Sequence, residues 1–155
     1  VQRILVTMGA GAAPPVRGPR PVAAVAPGVA AATGLSLQQL AAALVGQLRP
    51  AAVVCVDSLC SAEGQRLGRT VQFSDAGLYP AQADHTRHLT RDTLGVPVVA
   101  AGIPTLMQAQ EGADLVVTPR ALDSVIAHGA ALLAGSVNRA LQPRLTVQQL
   151  CWLTG

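Results

Sequence analysis

The sequence predicts an α/β fold, a three-layer sandwich with a mostly parallel sheet between helical layers. Three observations point there. Short apolar runs alternate with segments of helical period along the chain, the pattern of strands joined by crossover helices. Ala51–Val56 is apolar without a break, as a central strand covered on both faces requires. Half of the 155 residues are apolar but only 2% aromatic, so a core of Ala, Val and Leu suits close helix–sheet packing.

Val1–Thr7 reads as the tail of a helix or a short strand. Residues 9–19, rich in Gly, Ala and Pro, read as a loop. Pro21–Ala26 is a short apolar run stopped by Pro27-Gly28 and is predicted as a strand. Ser36–Leu48 is the clearest helix. Ser36 stands at the N-cap and Gln39 at the capping-box position, Leu37, Leu40, Leu44 and Leu48 fall at helical spacing, and Pro50 ends it. After the Ala51–Val56 strand, Asp57 is expected at the strand's end, with a short helix over Ser58–Arg66. Arg69–Ser74 alternates, with Val71 and Phe73 on one face, as a strand near an edge does; Asp75-Ala76-Gly77 then turns. Ala81–Leu94 is polar and reads as a loop with a helical turn. Val96–Ala101, ended by Gly102, and Leu115–Val117 are two further strands. Pro119 suits the first position of a helix to about Leu141. Residues 142–155 form a C-terminal tail, with a helix over Thr146–Leu153 and a second capping box at Thr146 and Gln149. The whole reads as one α/β domain.

Charge and cysteine content exclude several classes. The net charge is +3, carried by arginines scattered from Arg3 to Arg144 with no lysine and no aromatic interleaving, so no nucleic-acid footprint is indicated. Cys55, Cys60 and Cys151 form no CxxC pair and leave an odd number, which points to a reducing, cytoplasmic compartment. No apolar run reaches the ~20 residues of a membrane span, and the start lacks the pattern of a signal peptide. Gly9 and Gly11 lack the Gly-Lys-Ser/Thr of a phosphate loop, and no Gly-x-Ser-x-Gly elbow occurs.

Ligands in such sheets bind beyond the carboxyl ends of strands, which singles out Asp57, Asp75 and Gly102–Thr105. Asp57 follows an apolar run and precedes a predicted helix start, so burial and the helix N-terminus would pull its pKa in opposite directions. Such a carboxylate activates water, or else simply caps the helix. Asp75, at the end of the neighbouring predicted strand, either faces Asp57 and shares a proton with it or is an ordinary turn residue. His85 and His88, one helical turn apart beside Asp84, are a weak metal signal in an exposed polar loop, and His128 has no partner nearby in sequence. No metal or other cofactor is implied.

Several segments together carry a resemblance. They are Arg20–Val29 (Arg-Pro-Val-Ala-Ala-Val-Ala-Pro-Gly-Val), Thr33-Gly34, Val53–Leu59 (Val-Val-Cys-Val-Asp-Ser-Leu), Thr70–Gly77 (Thr-Val-Gln-Phe-Ser-Asp-Ala-Gly), Asp92–Val98 (Asp-Thr-Leu-Gly-Val-Pro-Val), Gly102–Thr105 (Gly-Ile-Pro-Thr), Val116–Pro119 (Val-Val-Thr-Pro) and Asn138–Leu141 (Asn-Arg-Ala-Leu). In this order the chain resembles the germination proteases, spore endopeptidases that degrade small acid-soluble spore proteins. The resemblance implies a fold similar to that of the hydrogenase-maturation proteases and an atypical aspartic peptidase working with two aspartates. Asp57, in Asp57-Ser58-Leu59-Cys60, takes the place of one of them, with Asp75 as a possible supporting residue. It further implies a protein substrate, a homo-oligomer, a spore-interior location and a chain lacking its N-terminal part.

Three departures stand out. The family's other catalytic aspartate, in an Asp-Ala-Leu-Gly-Pro segment, belongs upstream of the part matched by Val1. The family's His-Pro-Gly-Ser-Gly stretch is replaced by Tyr79-Pro80-Ala81-Gln82. Only Leu106–Leu115 separates Gly-Ile-Pro-Thr from Val-Thr-Pro, where longer members carry a large insertion. The alternatives are a non-catalytic relative that binds peptide or assists assembly, and a metal-dependent processing protease, which Tyr79 in place of the family's histidine disfavours.

Overall fold

The computed structural model describes residues 3–7, 19–28, 33–79, 88–108 and 116–155. The chain divides into two compact units, one formed by Pro27–Ile126, the other by Val1–Ala26 together with Ala127–Gly155.

The first unit holds a four-stranded sheet. Helix α1 spans Leu37–Leu48 and starts at the expected capping box: Gln39 N–H donates to the Ser36 hydroxyl, and the Gln39 side chain accepts from Ser36 N–H at 2.9 Å. It stops at Arg49, held left-handed at φ 48° ahead of Pro50. Its inward face is Leu37, Ala41 and Val45, a step of four, so Leu40 and Leu44 flank the contact and Leu48 is largely exposed.

Strand β1 runs Val53–Ser61 and β3 runs Val98–Gln108, paired in parallel from Val53↔Val98 to Ser61↔Met107 with an irregularity between Leu59 and Cys60. Both continue well past the expected ends. Asp57 is therefore inside β1, and no helix covers Ser58–Arg66; only a short 3₁₀ turn forms at Gly64–Arg66. Gly102–Thr105 likewise lies inside β3. A polar residue such as Asp57 or a glycine such as Gly102 does not by itself end a ladder, because the pairing is made by backbone N–H and C=O groups.

Strands β2 (Gln72–Ser74) and β4 (Val116–Val117) both pair antiparallel with β3. The sheet is thus mixed, not mostly parallel. The connection from Gln108 to Val116 is too short for a parallel crossover, which takes a dozen or more residues, so β4 returns beside the strand it leaves.

The core lies on one face of this sheet, where Cys55, Val98 and Ala100 meet Leu78, Leu89 and Leu94, with α1 packed against them. Helix α2 (Arg91–Leu94) begins at its own capping box, Thr90 and Thr93. Gly77 is held at φ 102°, and a Cβ there would run into the Leu89 carbonyl oxygen. That close approach lets Leu78 and Leu89 form their antiparallel bridge. The opposite sheet face carries Val54, Val56, Val99 and Phe73, each at least a third exposed.

In the other unit, α3 continues to Leu141 from its start at Leu122, three residues beyond Pro119, and α4 spans Val147–Thr154 behind the expected Thr146/Gln149 box. Near the end of α3 two buried amides hold the chain's beginning. Asn138 accepts from Leu5 N–H at 3.0 Å and donates to the Arg3 carbonyl at 2.8 Å. Gln142 accepts from Arg20 N–H and donates to the Arg20 carbonyl, both at 2.8 Å. Each amide acts as one peptide unit of a missing strand partner, satisfying backbone groups that burial would otherwise leave unpaired. Thr7 and Val22 bond to each other as well. The described parts of Val1–Thr7 and Pro21–Ala26 are irregular rather than helical or extended into a sheet. Most of the 9–19 loop, His85, Asp84 and the 109–115 connection, including Leu115, lie outside the described residues.

Candidate active site

Side chains of a strand alternate between faces. On β1, Cys55, Asp57 and Leu59 share the face that α1 covers. Cys55 is buried and Leu59 half-buried, yet Asp57 between them is exposed. The carboxylate stands at a break in the cover of its own face. One of its oxygens, Oδ1, accepts from the N–H of Ser58 at 2.8 Å. This local bond orients the group. Burial pushes the Cys55 thiol upward from its ordinary 9.0, and the negative charge of Asp57 adds to that rise.

The cross-strand neighbour of Asp57 is Gly102, and that of Gly102 on the far side is Gln72. β1 pairs with β3 on one side, and its other edge is unpaired among the described residues.

Asp75 follows β2, exposed, in a bend where Ala76 N–H donates to the Ser74 hydroxyl at 3.2 Å. β3 separates β1 from β2, and Ser74 is level with Ala100 while Asp57 is level with Gly102. Two strand spacings and about three residues of rise put the two carboxylates more than ~10 Å apart. The structure does not bring them together.

Tyr79 and His88 flank the Leu78–Leu89 bridge, with ring centroids 4.8 Å apart and planes at 57°. Among the described residues no group of three or more His, Cys, Asp or Glu is placed to hold a metal ion, and no helix is long and apolar enough to cross a membrane. A shallow hollow lined by Ser36, Gln38, Gln39 and Ala42 at the start of α1 includes neither carboxylate. The partnership of Asp57 with Gly102 was not foreseen. Its one sequence signal is a glycine inside an apolar run, which marks a close backbone approach.

The sequence profile of the germination proteases matches residues 3–111 of this chain. The chain belongs to the germination protease family. A germination protease of Halalkalibacterium halodurans is 37% identical over 111 residues, taking in 70% of this chain and 28% of the relative. One from Bacillus velezensis is 33% identical over 129 residues, 81% of this chain and 34% of the relative. One from Clostridium perfringens (strain 13 / Type A) is 28% identical over 179 aligned positions, 84% of this chain and 55% of the relative. The chain thus spans about half the length of the curated relatives it matches, or less. Those 179 positions exceed the chain's own 155 residues, so the germination protease of that species carries extra residues within the matched stretch.

Proposed function

We propose that the chain supplies one of the two catalytic carboxylates of a germination-type endopeptidase. Asp57 activates water for attack on a peptide bond, and the second aspartate comes from polypeptide upstream of Val1. The observation that carries this reading is the family match across β1, joined to the state of Asp57: a carboxylate on the covered face, one oxygen fixed by Ser58 N–H and the side chain open to solvent.

The unpaired edge of β1 supports the second half. A nine-residue strand whose second edge has no strand partner among the described residues is a template for another strand. An upstream strand seated there would lie next to Asp57 and bring an acid within proton-sharing range. Each member of such a pair contributes about 10²–10⁴ in rate. Asp75, separated by β3, is a supporting carboxylate that acts on substrate rather than on Asp57. By the same reading the complete enzyme shares the α/β fold of the hydrogenase-maturation proteases. The substrates are small acid-soluble spore proteins, and the enzyme is a homo-oligomer of the spore interior.

The test is cleavage of a small acid-soluble spore protein by the gene product containing these residues. Asp57→Asn should lower kcat by at least 100-fold with the fold unchanged. A variant that cleaves as fast as the parent removes Asp57 from the reaction. The exposure of Asp57 and the Tyr79 substitution favour one other reading, a non-catalytic relative that binds peptide. There, parent and variant would both bind the substrate and neither would cut it.

A further inference from the structure

We infer that Gly102 is a positioning residue for Asp57, holding β1 at its height and seating Leu59 against the carboxylate on the β3 side. The inference rests on the reading of Asp57 as catalytic.

Gly102 is buried in the interior of β3 and directly opposite Asp57. Glycine in a strand interior weakens the strand, and its presence there marks a close approach. Its φ lies outside the left-handed region, so space rather than torsion calls for glycine. A Cβ at this position would strike the Asp57 carbonyl oxygen and the Leu59 side chain.

The place beside Asp57 that a cross-strand side chain normally fills is thus filled by Leu59, two residues along on the same face. The carboxylate has an apolar wall toward β3 and, on its other side, a strand edge unpaired among the described residues. Any side chain at position 102 pushes the Asp57 backbone outward and dislodges the wall.

The experiment compares parent, Asp57→Asn, Gly102→Ala and Leu59→Ala gene products, with Gly46→Ala as control, since a Cβ at Gly46 meets nothing within 4 Å. Rates are taken per folded molecule, counted from dispersed methyl resonances. Gly102→Ala should lower kcat about 10- to 100-fold with KM within about twofold of the parent, as sub-ångström displacement of a reacting group does. Gly46→Ala should match the parent. If Asp57→Asn is inactive while Gly102→Ala keeps the parent's kcat, the positioning role is wrong and the catalytic reading stands. If Asp57→Asn stays active, both fall. Should Gly102→Ala fail to fold, Leu59→Ala decides: it leaves the strand pairing intact and removes the wall, and an unchanged kcat overturns the inference.

Discussion

Cys55 illustrates how much one strand position can carry. Its thiol is buried against Leu78, Leu94 and α1, and Asp57 stands two residues on along the same face. Burial first, and the neighbouring negative charge second, hold the thiol in its neutral form above the usual 9.0. The sign of the consequence follows from proton counting. Above the ordinary thiol value the unfolded chain loses this proton while the folded chain keeps it. The contribution is therefore complete below that value and is lost as pH rises toward the folded-state pKa. Urea midpoints at pH 7 and pH 10 should fall further for the parent than for Cys55→Ala. Equal falls would mean that the thiol titrates alike in both states.

At the scale of elements, local backbone chemistry was legible and long-range pairing was not. Ser36 with Gln39 and Thr146 with Gln149 form the boxes their spacing announces, because a cap involves only residues three apart. The ends of β1 and β3 were misplaced because Asp57 and Gly102 look like strand terminators in one dimension, yet each is the other's ladder partner. Strand direction was equally hidden: the alternation of Val71, Gln72 and Phe73 fixes faces, not polarity. Around the candidate site, the sequence marks Asp57 as a carboxylate to examine but gives no sign that Gly102 is the residue it pairs with. Gly77 gives a test at this scale. It combines φ 102° with backbone contact to Leu89 and Thr90, so Gly77→Ala faces both torsional strain and a collision that no rotamer relieves. The cost should be at least about 2 kcal/mol, read from urea unfolding. A loss under about 0.5 kcal/mol would show that the Leu78–Leu89 bridge can shift to make room.

The whole molecule poses a different problem, because one unit is built from both chain ends while the other is a continuous stretch between them. The discontinuous unit must close a loop of about a hundred residues, whose entropic cost grows only slowly with length. What secures the chain's beginning in that unit is polar: Asn138 and Gln142, buried to within 3% and 2% exposure, bonded to Arg3, Leu5 and Arg20. They bind backbone alone, so the identity of the side chains at Arg3 and Arg20 is not read by these bonds, whereas that of the two amides is. Asn138→Leu removes donor and acceptor together and strands the Leu5 N–H and the Arg3 carbonyl, a loss of about 2 kcal/mol or more. In native-state hydrogen exchange this should appear as roughly 30-fold faster exchange of the Leu5 amide and of amides late in α3. The β1–β3 ladder, whose bonds lie wholly within Pro27–Ile126, should keep its protection. Equal loss of protection along β1 and β3 would mean that the two units unfold as one, and that the amide pair secures the sheet as well as the chain's beginning.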